Sequence, residues 1–244
     1  MRYLILSDIH SNLAALEAVL ADAGPVDAVW CLGDIVGYGP QPNECAARVQ
    51  GLPNLVCVAG NHDWGALGKL DLATFNADAR AAAEWTGRTL SAANRAWLDG
   101  LPERVRLEGF TLVHGSPRYP IWEYVLNPAI ARENMAHFDT LTCLVGHTHV
   151  PAIFQEPTRR EPRPPAIELS LGEPFRYRNA RAIINPGGVG QPRDGDPRAS
   201  FILLDPDAGT LEYRRVPYPI EETQALMREA GLPPRLAARL SYGI

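Results

Sequence analysis

The chain has 244 residues and a mass of 26.7 kDa, with 46% hydrophobic and 21% charged residues, a globular composition that excludes a disordered chain. Lys plus Arg is 23 against 28 Asp plus Glu, a formal charge of −5, which argues against stable nucleic-acid binding and against attraction to anionic membranes. No apolar run approaches the roughly 20 residues of a membrane span, and Asp8 interrupts the first run too early for a signal-peptide core.

In chain order, Tyr3–Leu6 reads as a strand and Leu13–Ala23 as a helix, with Leu13, Leu16, Val19 and Leu20 at helical spacing and Gly24 as a stop. Ala28–Leu32 is the next strand, and Pro42 and Gly51 bracket a second helix. Leu55–Val58, Thr111–Val113 and Leu141–Val145 read as further buried strands. Between the third and fourth strands lies an Ala-rich helical block over residues 76–98, in which Trp85, Trp97 and Trp122 nearby read as packing residues. Asn127-Pro128 opens another helix near Ile130–Met135. Cys31, Cys45, Cys57 and Cys143 form no C-x-x-C pair, so they read as reduced thiols of a cytoplasmic protein.

Beyond residue 150 the character changes. Residues 157–165 hold four prolines and three arginines (Arg159, Arg160 and Arg163), a pattern read as an irregular, solvated loop. Ala182–Ile184, Ser200–Leu204 and Leu211–Arg215 read as strands of a second sheet. A closing helix near 221–240 is interrupted at Gly231-Leu232-Pro233-Pro234. The expected organisation is one α/β domain over 1–244 with a helical insertion near 67–100.

The chemistry sits where the strands stop. They run into Asp8-Ile9-His10, Gly33-Asp34, Gly60-Asn61-His62-Asp63, His114 and Gly146-His147-Thr148-His149, which together take five of the six histidines. Strand carboxyl ends line the ligand crevice of α/β sheets. Carboxylate, imidazole and amide donors without cysteine suit Mn, Fe, Zn or a similar divalent ion. Asp8, His10, Asp34, Asn61, His114, His147 and His149 are seven ligands, too many for one catalytic ion and enough for two that share a carboxylate. Two ions about 3.5–4 Å apart activate water and hold the oxygens of a transferring phosphoryl group. Each fragment alone is weak evidence, since Asp, Gly and a lone His are ordinary at turns; their conjunction in order is what points to a metal site.

These five blocks resemble the signature of the calcineurin-like metallophosphoesterases, and Asn185-Pro186-Gly187-Gly188-Val189-Gly190 resembles the prokaryotic phosphodiesterase-type branch, with Gly188 where that branch carries Ser. The resemblance implies a four-layer α-β-β-α sandwich of two mixed sheets flanked by helices. It implies one ion on Asp8, His10, Asp34 and His149 and a second on Asp34, Asn61, His114 and His147. It further implies hydrolysis of P–O bonds by attack of a metal-bridging hydroxide. His62 is then expected to act on the substrate, with Asp63 orienting its imidazole. Asn12, Arg118 and Arg193 are candidate substrate contacts, with a helix cap the equally weighted reading of Asn12. The expected substrate is a small phosphodiester, with nucleotides among the candidates; a phosphomonoesterase, a protein phosphatase or a non-catalytic metal-binding adaptor are the alternatives. The stretch after Asp34 lacks the Arg of the protein phosphatase branch. Homo-oligomerisation is left open by the sequence.

Overall fold

A computed structural model describes residues 1–159, 161 and 166–244. The chain begins β1 (Tyr3–Leu6), α1 (Leu13–Ala23), β2 (Ala28–Cys31), α2 (Pro42–Gln50), β3 (Val56–Cys57) and α3 (Asn61–Leu67). It continues with α4 (Ala77–Thr89), α5 (Ala92–Asp99), β4 (Arg104–Leu107), β5 (Phe110–Val113), α6 (Pro128–Asn134), β6 (Thr142–Leu144) and β7 (Ala152–Gln155). The remainder is β8 (Pro174–Arg176), β9 (Ala182–Asn185), β10 (Ala199–Asp205), β11 (Thr210–Val216), α7 (Ile220–Glu229) and α8 (Pro234–Arg239).

Two mixed sheets pack face to face and helices cover their outer faces. The first has the order β3-β2-β1-β10-β11-β8 and the second β4-β5-β6-β9-β7. In the first, β1, β2 and β3 run parallel, while β10 pairs antiparallel with β1. In the second, β5, β6 and β9 run parallel and the edge strands β4 and β7 are antiparallel. Strand alternation divides the side chains. Ile5, Trp30, Leu112, Leu144, Ile184 and Ile202 fill the space between the sheets. Leu4, Leu6, Val29 and Cys31 instead face Leu16 and Val19 of α1 and Cys45 and Val49 of α2. On the far side, Val113, Cys143 and Ile183 meet Ala131 of α6 and Met135. Each fully buried aliphatic chain contributes about 1.5–3 kcal/mol against exposure, which fixes the register of both sheets.

Three expectations change. The later strands do not make a sheet of their own: β10 and β11 extend the sheet begun by β1, and β9 joins β6. Register from Tyr3↔Leu204 to Ile5↔Ile202 carries this long-range pairing, which local sequence pattern cannot reveal. The Ala-rich block is two helices, because Ser91 caps α5 by accepting the Asn94 N–H and turns the chain at Leu90. Finally β4, β7 and β8 are strands beyond those expected; β4 and β8 are short, half-exposed edges that lack a buried apolar run. The interruption of the closing helix is observed, between α7 and α8. Arg160 and Arg163 of the expected 157–165 loop lie outside the described residues.

Candidate metal centre

Six strands deliver their carboxyl ends to one edge of the sandwich. Asp8 and His10 follow β1, Asp34 follows β2, Asn61 and His62 open α3 after β3, His114 follows β5, and His147 and His149 follow β6. The loop after β9 brings Gln191 and Arg193 to the same edge, where the Gln191 carbonyl accepts a bond from His149 Nδ1. All the expected ligands are buried. Asp8, His10, Asp34, His147 and His149 have φ between 50° and 65°, the left-handed region that few non-glycine residues adopt. Glycines let the loops approach: a Cβ on Gly60 would fall on Asp34 Oδ1, and one on Gly146 would fall on Ser7 Oγ.

The outer nitrogen of each imidazole is tied to a backbone carbonyl. His10 Nδ1 donates to Val36 O at 3.2 Å, His114 Nδ1 to Leu32 O at 2.8 Å, His147 Nε2 to Trp122 O at 3.1 Å, and His149 Nδ1 to Gln191 O. A carbonyl only accepts, so the outer nitrogen carries the proton and, in a neutral ring, the inner nitrogen presents a lone pair.

These inner atoms converge. His10 Nε2 lies 3.1 Å from His149 Nε2, and Asp8 Oδ1 lies 3.2 Å from His149 Nε2. Asn61 Oδ1, His147 Nδ1 and Asp34 Oδ2 lie 3.0, 3.2 and 3.3 Å from His114 Nε2. Asp34 Oδ2 is also 3.5 Å from His10 Nε2. Asp8 Oδ1 and Asp34 Oδ2 are buried with no hydrogen-bond partner. Two groups result, Asp8-His10-Asp34-His149 and Asp34-His114-His147, in each of which the ligand atoms lie within 4.8 Å of one another. Buried acceptors crowded without donors are costly, and a divalent cation is the species that relieves them. The donor set therefore fits metal ions.

The same crowding shifts the titrating groups. Burial raises Asp8 to about 7, partly offset by His114. Burial would also raise Asp34, but the imidazoles of His114, His62 and His10 outweigh it and hold that carboxyl below its usual range. His114 is driven to about 9 against its own burial, by the Asp34 charge. Burial pushes His10, His147 and His149 below the usual imidazole value.

His62 stands beside this cluster without joining it. Its ring packs on Tyr38 with centroids 4.2 Å apart, on His10 at 4.9 Å and on Phe75 at 5.1 Å. Its Nδ1 is buried without a partner, and burial lowers the ring to about 4. The expectation that Asp63 orients this imidazole is corrected. Asp63 accepts the backbone N–H groups of Asp34 at 2.9 Å, Val36 at 3.1 Å and Gly60 at 2.9 Å, so both its oxygens serve the loops.

Two candidate substrate contacts are also corrected. Asn12 is spent inside the fold: it caps α1 through the Ala15 N–H, donates to Gly190 O and accepts from Thr223. Arg118 is committed to Glu123 and Glu133. Arg193 does lie at the centre, with its guanidinium carbon 5.7 Å from the Tyr38 ring centroid. Sequence reading missed Tyr38, Trp122 and Tyr124. Trp122 packs on Phe75 at 5.1 Å while its carbonyl holds His147, and Tyr124 stacks on His147 at 3.8 Å. No local pattern marks these three; Tyr38 comes from the loop after β2, and Trp122 and Tyr124 come from the loop after β5.

A buried carboxylate–imidazole cluster at the strand ends of a two-sheet sandwich defines a metal-dependent phosphoester hydrolase. The sequence profile of the calcineurin-like phosphoesterase superfamily domain matches residues 1–209, and the chain belongs to that superfamily. A metallophosphoesterase from Sphaerobacter thermophilus is 51% identical with a TM-score of 0.91, covering 100% of this chain and 99% of that one. An uncharacterized protein of Methanocaldococcus jannaschii is 37% identical over 98% of this chain and 97% of its own length. The phosphodiesterase YfcE of Escherichia coli is 27% identical over 85% of this chain and 89% of its own. Among the described residues no helix is long and apolar enough to cross a membrane.

Proposed function

We propose that this chain is a dinuclear phosphodiesterase acting on small phosphodiesters, nucleotides among them. The observation that carries the reading is Asp34, which belongs to both ligand groups and whose unpartnered Oδ2 lies 3.5 Å from His10 Nε2 and 3.3 Å from His114 Nε2. Asp8, His10, Asp34 and His149 would hold one ion, and Asp34, Asn61, His114 and His147 the other. Mn, Fe and Zn all suit this oxygen and nitrogen set. Such a pair supplies Lewis acidity and water activation to phosphoryl transfer.

The residues around the ions have their own work. With Nδ1 buried, His62 has Nε2 left to hydrogen-bond a phosphoryl or leaving-group oxygen, help worth about 10²–10⁴-fold. Asp63 holds the Asp34 and Gly60 loops and so positions a ligand on each side. Arg193 would offset negative charge on the incoming phosphate. The half-exposed rings of Trp122 and Tyr124 offer an organic ester group a face to stack on. The name of the Escherichia coli relative favours a diester, and the complete ligand set speaks against a non-catalytic adaptor.

Turnover of bis-p-nitrophenyl phosphate and p-nitrophenyl phosphate with added Mn²⁺ tests the reading, together with metal analysis. A diester preference and a His62→Ala fall of about 10²–10⁴-fold at unchanged metal content are expected. Preference for the monoester would replace the diesterase by a phosphomonoesterase. Unchanged turnover in His62→Ala would remove the role given to that ring.

A further inference from the structure

Two loops straddle the His147-Thr148-His149 segment. From the loop after β5, Trp122 O accepts from His147 Nε2 at 3.1 Å, and the Tyr124 ring stacks on the His147 ring with centroids 3.8 Å and planes 20° apart. From the loop after β9, Gln191 O accepts from His149 Nδ1, and the backbone N–H of Arg193 donates to His149 O at 3.4 Å. Each loop thus rests on one of the two histidines and carries one further polar group, the Tyr124 hydroxyl and the Arg193 guanidinium.

The two groups meet. Burial raises the Tyr124 hydroxyl above its ordinary value, Arg193 pulls against this through charge and a hydrogen bond, and the charges of Asp34 and Asp8 reach the same oxygen. The hydroxyl therefore keeps its proton. A guanidinium only donates, so Tyr124 accepts from Arg193 and has its own proton left to give. A hydroxyl polarised in this way is a stronger donor. With 41% of its surface exposed, Tyr124 is within reach of an incoming solute. Arg118, Arg181 and Arg198 are each paired with a carboxylate. Arg193 instead gives a terminal N–H to Gln191 Oε1 at 3.0 Å, and its Nε is buried with no partner. Its charge adds to the burial that lowers His10, His62 and His149, so the guanidinium acts on the ligand cluster. A cation and a polarised hydroxyl side by side match the charge and lone pairs of an oxyanion.

We propose that Tyr124 and Arg193 form a two-donor clamp for the substrate phosphate, in which the Tyr124 hydroxyl donates directly to a phosphoryl oxygen beside the guanidinium. This rests on the phosphoesterase reading, with the scissile phosphate at the Asp34 cluster. Tyr124 is then a binding residue through its hydroxyl, while its ring has the separate task of seating His147. The two tasks come apart in Tyr124→Phe, which removes the first and keeps the second.

The Mn²⁺-loaded Tyr124→Phe protein is expected to keep its metal content and to show a KM for bis-p-nitrophenyl phosphate at least about 10-fold higher, as for a lost hydrogen bond to a charged group. Its kcat should stay within about 3-fold of the unaltered enzyme, because bound substrate and transition state lose the contact alike. Calorimetric binding of inorganic phosphate gives a readout independent of turnover and should weaken by a similar factor. In an Arg193→Gln background, Tyr124→Phe should still weaken phosphate binding by about 3-fold or more. Unchanged phosphate affinity in Tyr124→Phe overturns the clamp. Metal loss in that variant overturns it too, by giving the hydroxyl to the centre itself. The absence of any further loss in Arg193→Gln would reduce Tyr124 to a support for Arg193 and likewise refute direct donation. If the unaltered enzyme hydrolyses neither bis-p-nitrophenyl phosphate nor p-nitrophenyl phosphate, the phosphoesterase reading fails, and the phosphate-binding comparison still decides the clamp. Should Tyr124→Phe fail to fold, nitration of Tyr124 by tetranitromethane in the unaltered, Mn²⁺-loaded protein decides. Inorganic phosphate should protect the ring, and equal nitration with and without phosphate contradicts the proposal.

Discussion

Asp63 Oδ2 accepts the backbone N–H of Asp34 at 2.9 Å, so the residue that follows His62 fixes the loop of the carboxylate common to both donor groups. The same oxygen takes the Gly60 N–H and the other takes that of Val36. Asp63→Asn would set an amide NH₂ or a single carbonyl before three donors, and a buried unsatisfied group costs about 1–3 kcal/mol. Urea unfolding should register that loss. Metal affinity should drop by about 10–100-fold, as for outer-sphere residues elsewhere. Wild-type affinity in Asp63→Asn would show that the Asp34 loop is held by other means.

Asp34→Asn probes the carboxylate proposed to serve both ions. The amide keeps the shape but removes the negative charge placed between His10 and His114. Metal analysis should show less than the full complement of ions, and turnover should fall by more than about 100-fold, beyond the usual outer-sphere effect. Retention of full metal content with full turnover would rule out a shared carboxylate.

In the loop after β5, Glu123 gathers three donors. Glu123 accepts from Ser116 at 2.6 Å, from Asn134 at 3.0 Å and from Arg118. Burial alone would raise its carboxyl, but these donors bring it down to about 2 from an ordinary 4.5. A depressed acid stabilises the fold above its unfolded value and loses that contribution as pH falls from about 4.5 towards 2. Glu123→Gln should therefore melt about 2–4 °C lower than the unaltered protein at pH 6. The gap should narrow steadily between pH 5 and 3. A gap independent of pH would show that the charge is not what holds the loop.

Gly146→Ala tests close approach. The new Cβ would fall on Ser7 Oγ and come within 3.0 Å of Asp8 Oδ2. Overpacking of this kind costs about 1–3 kcal/mol. Because the strain falls on a proposed ligand, metal affinity should decline with stability, whereas Gly68→Ala, where a Cβ meets nothing within 4 Å, should leave the metal content alone. Equal metal loss in both would disconnect Gly146 from the centre.

The sequence made the first sheet's parallel start legible because β1, α1 and β2 each carry a strong local signal: a buried apolar run, an Asn12 cap with helical spacing, and another run. The convergence of Asp8, Asp34, Asn61 and the histidines was legible for a related reason, since each follows a strand end. The pairing of β1 with β10 was not, because a contact between Tyr3 and Leu204 depends on the whole intervening chain. Nor was the service of Asp63, whose partners are backbone N–H groups that every residue type possesses. Asn12 illustrates the converse: its position near His10 suggested chemistry, while its three hydrogen bonds go to capping and loop support.

The left-handed backbone at the proposed ligands restricts how the centre can change. Asp8, His10, Asp34, His147 and His149 all adopt it, and Asp, Asn and His are the non-glycine types that tolerate it best. The local chain path and the coordination chemistry thus draw on the same short alphabet of side chains. Exchange among Asp, Asn and His at these positions alters charge and donor atom at little backbone expense. A longer carboxylate or a thiolate meets a conformational cost of about 1–3 kcal/mol before any change in metal preference is felt. Retuning this centre towards a softer ion by ligand replacement therefore requires rebuilding the loops as well as the side chains.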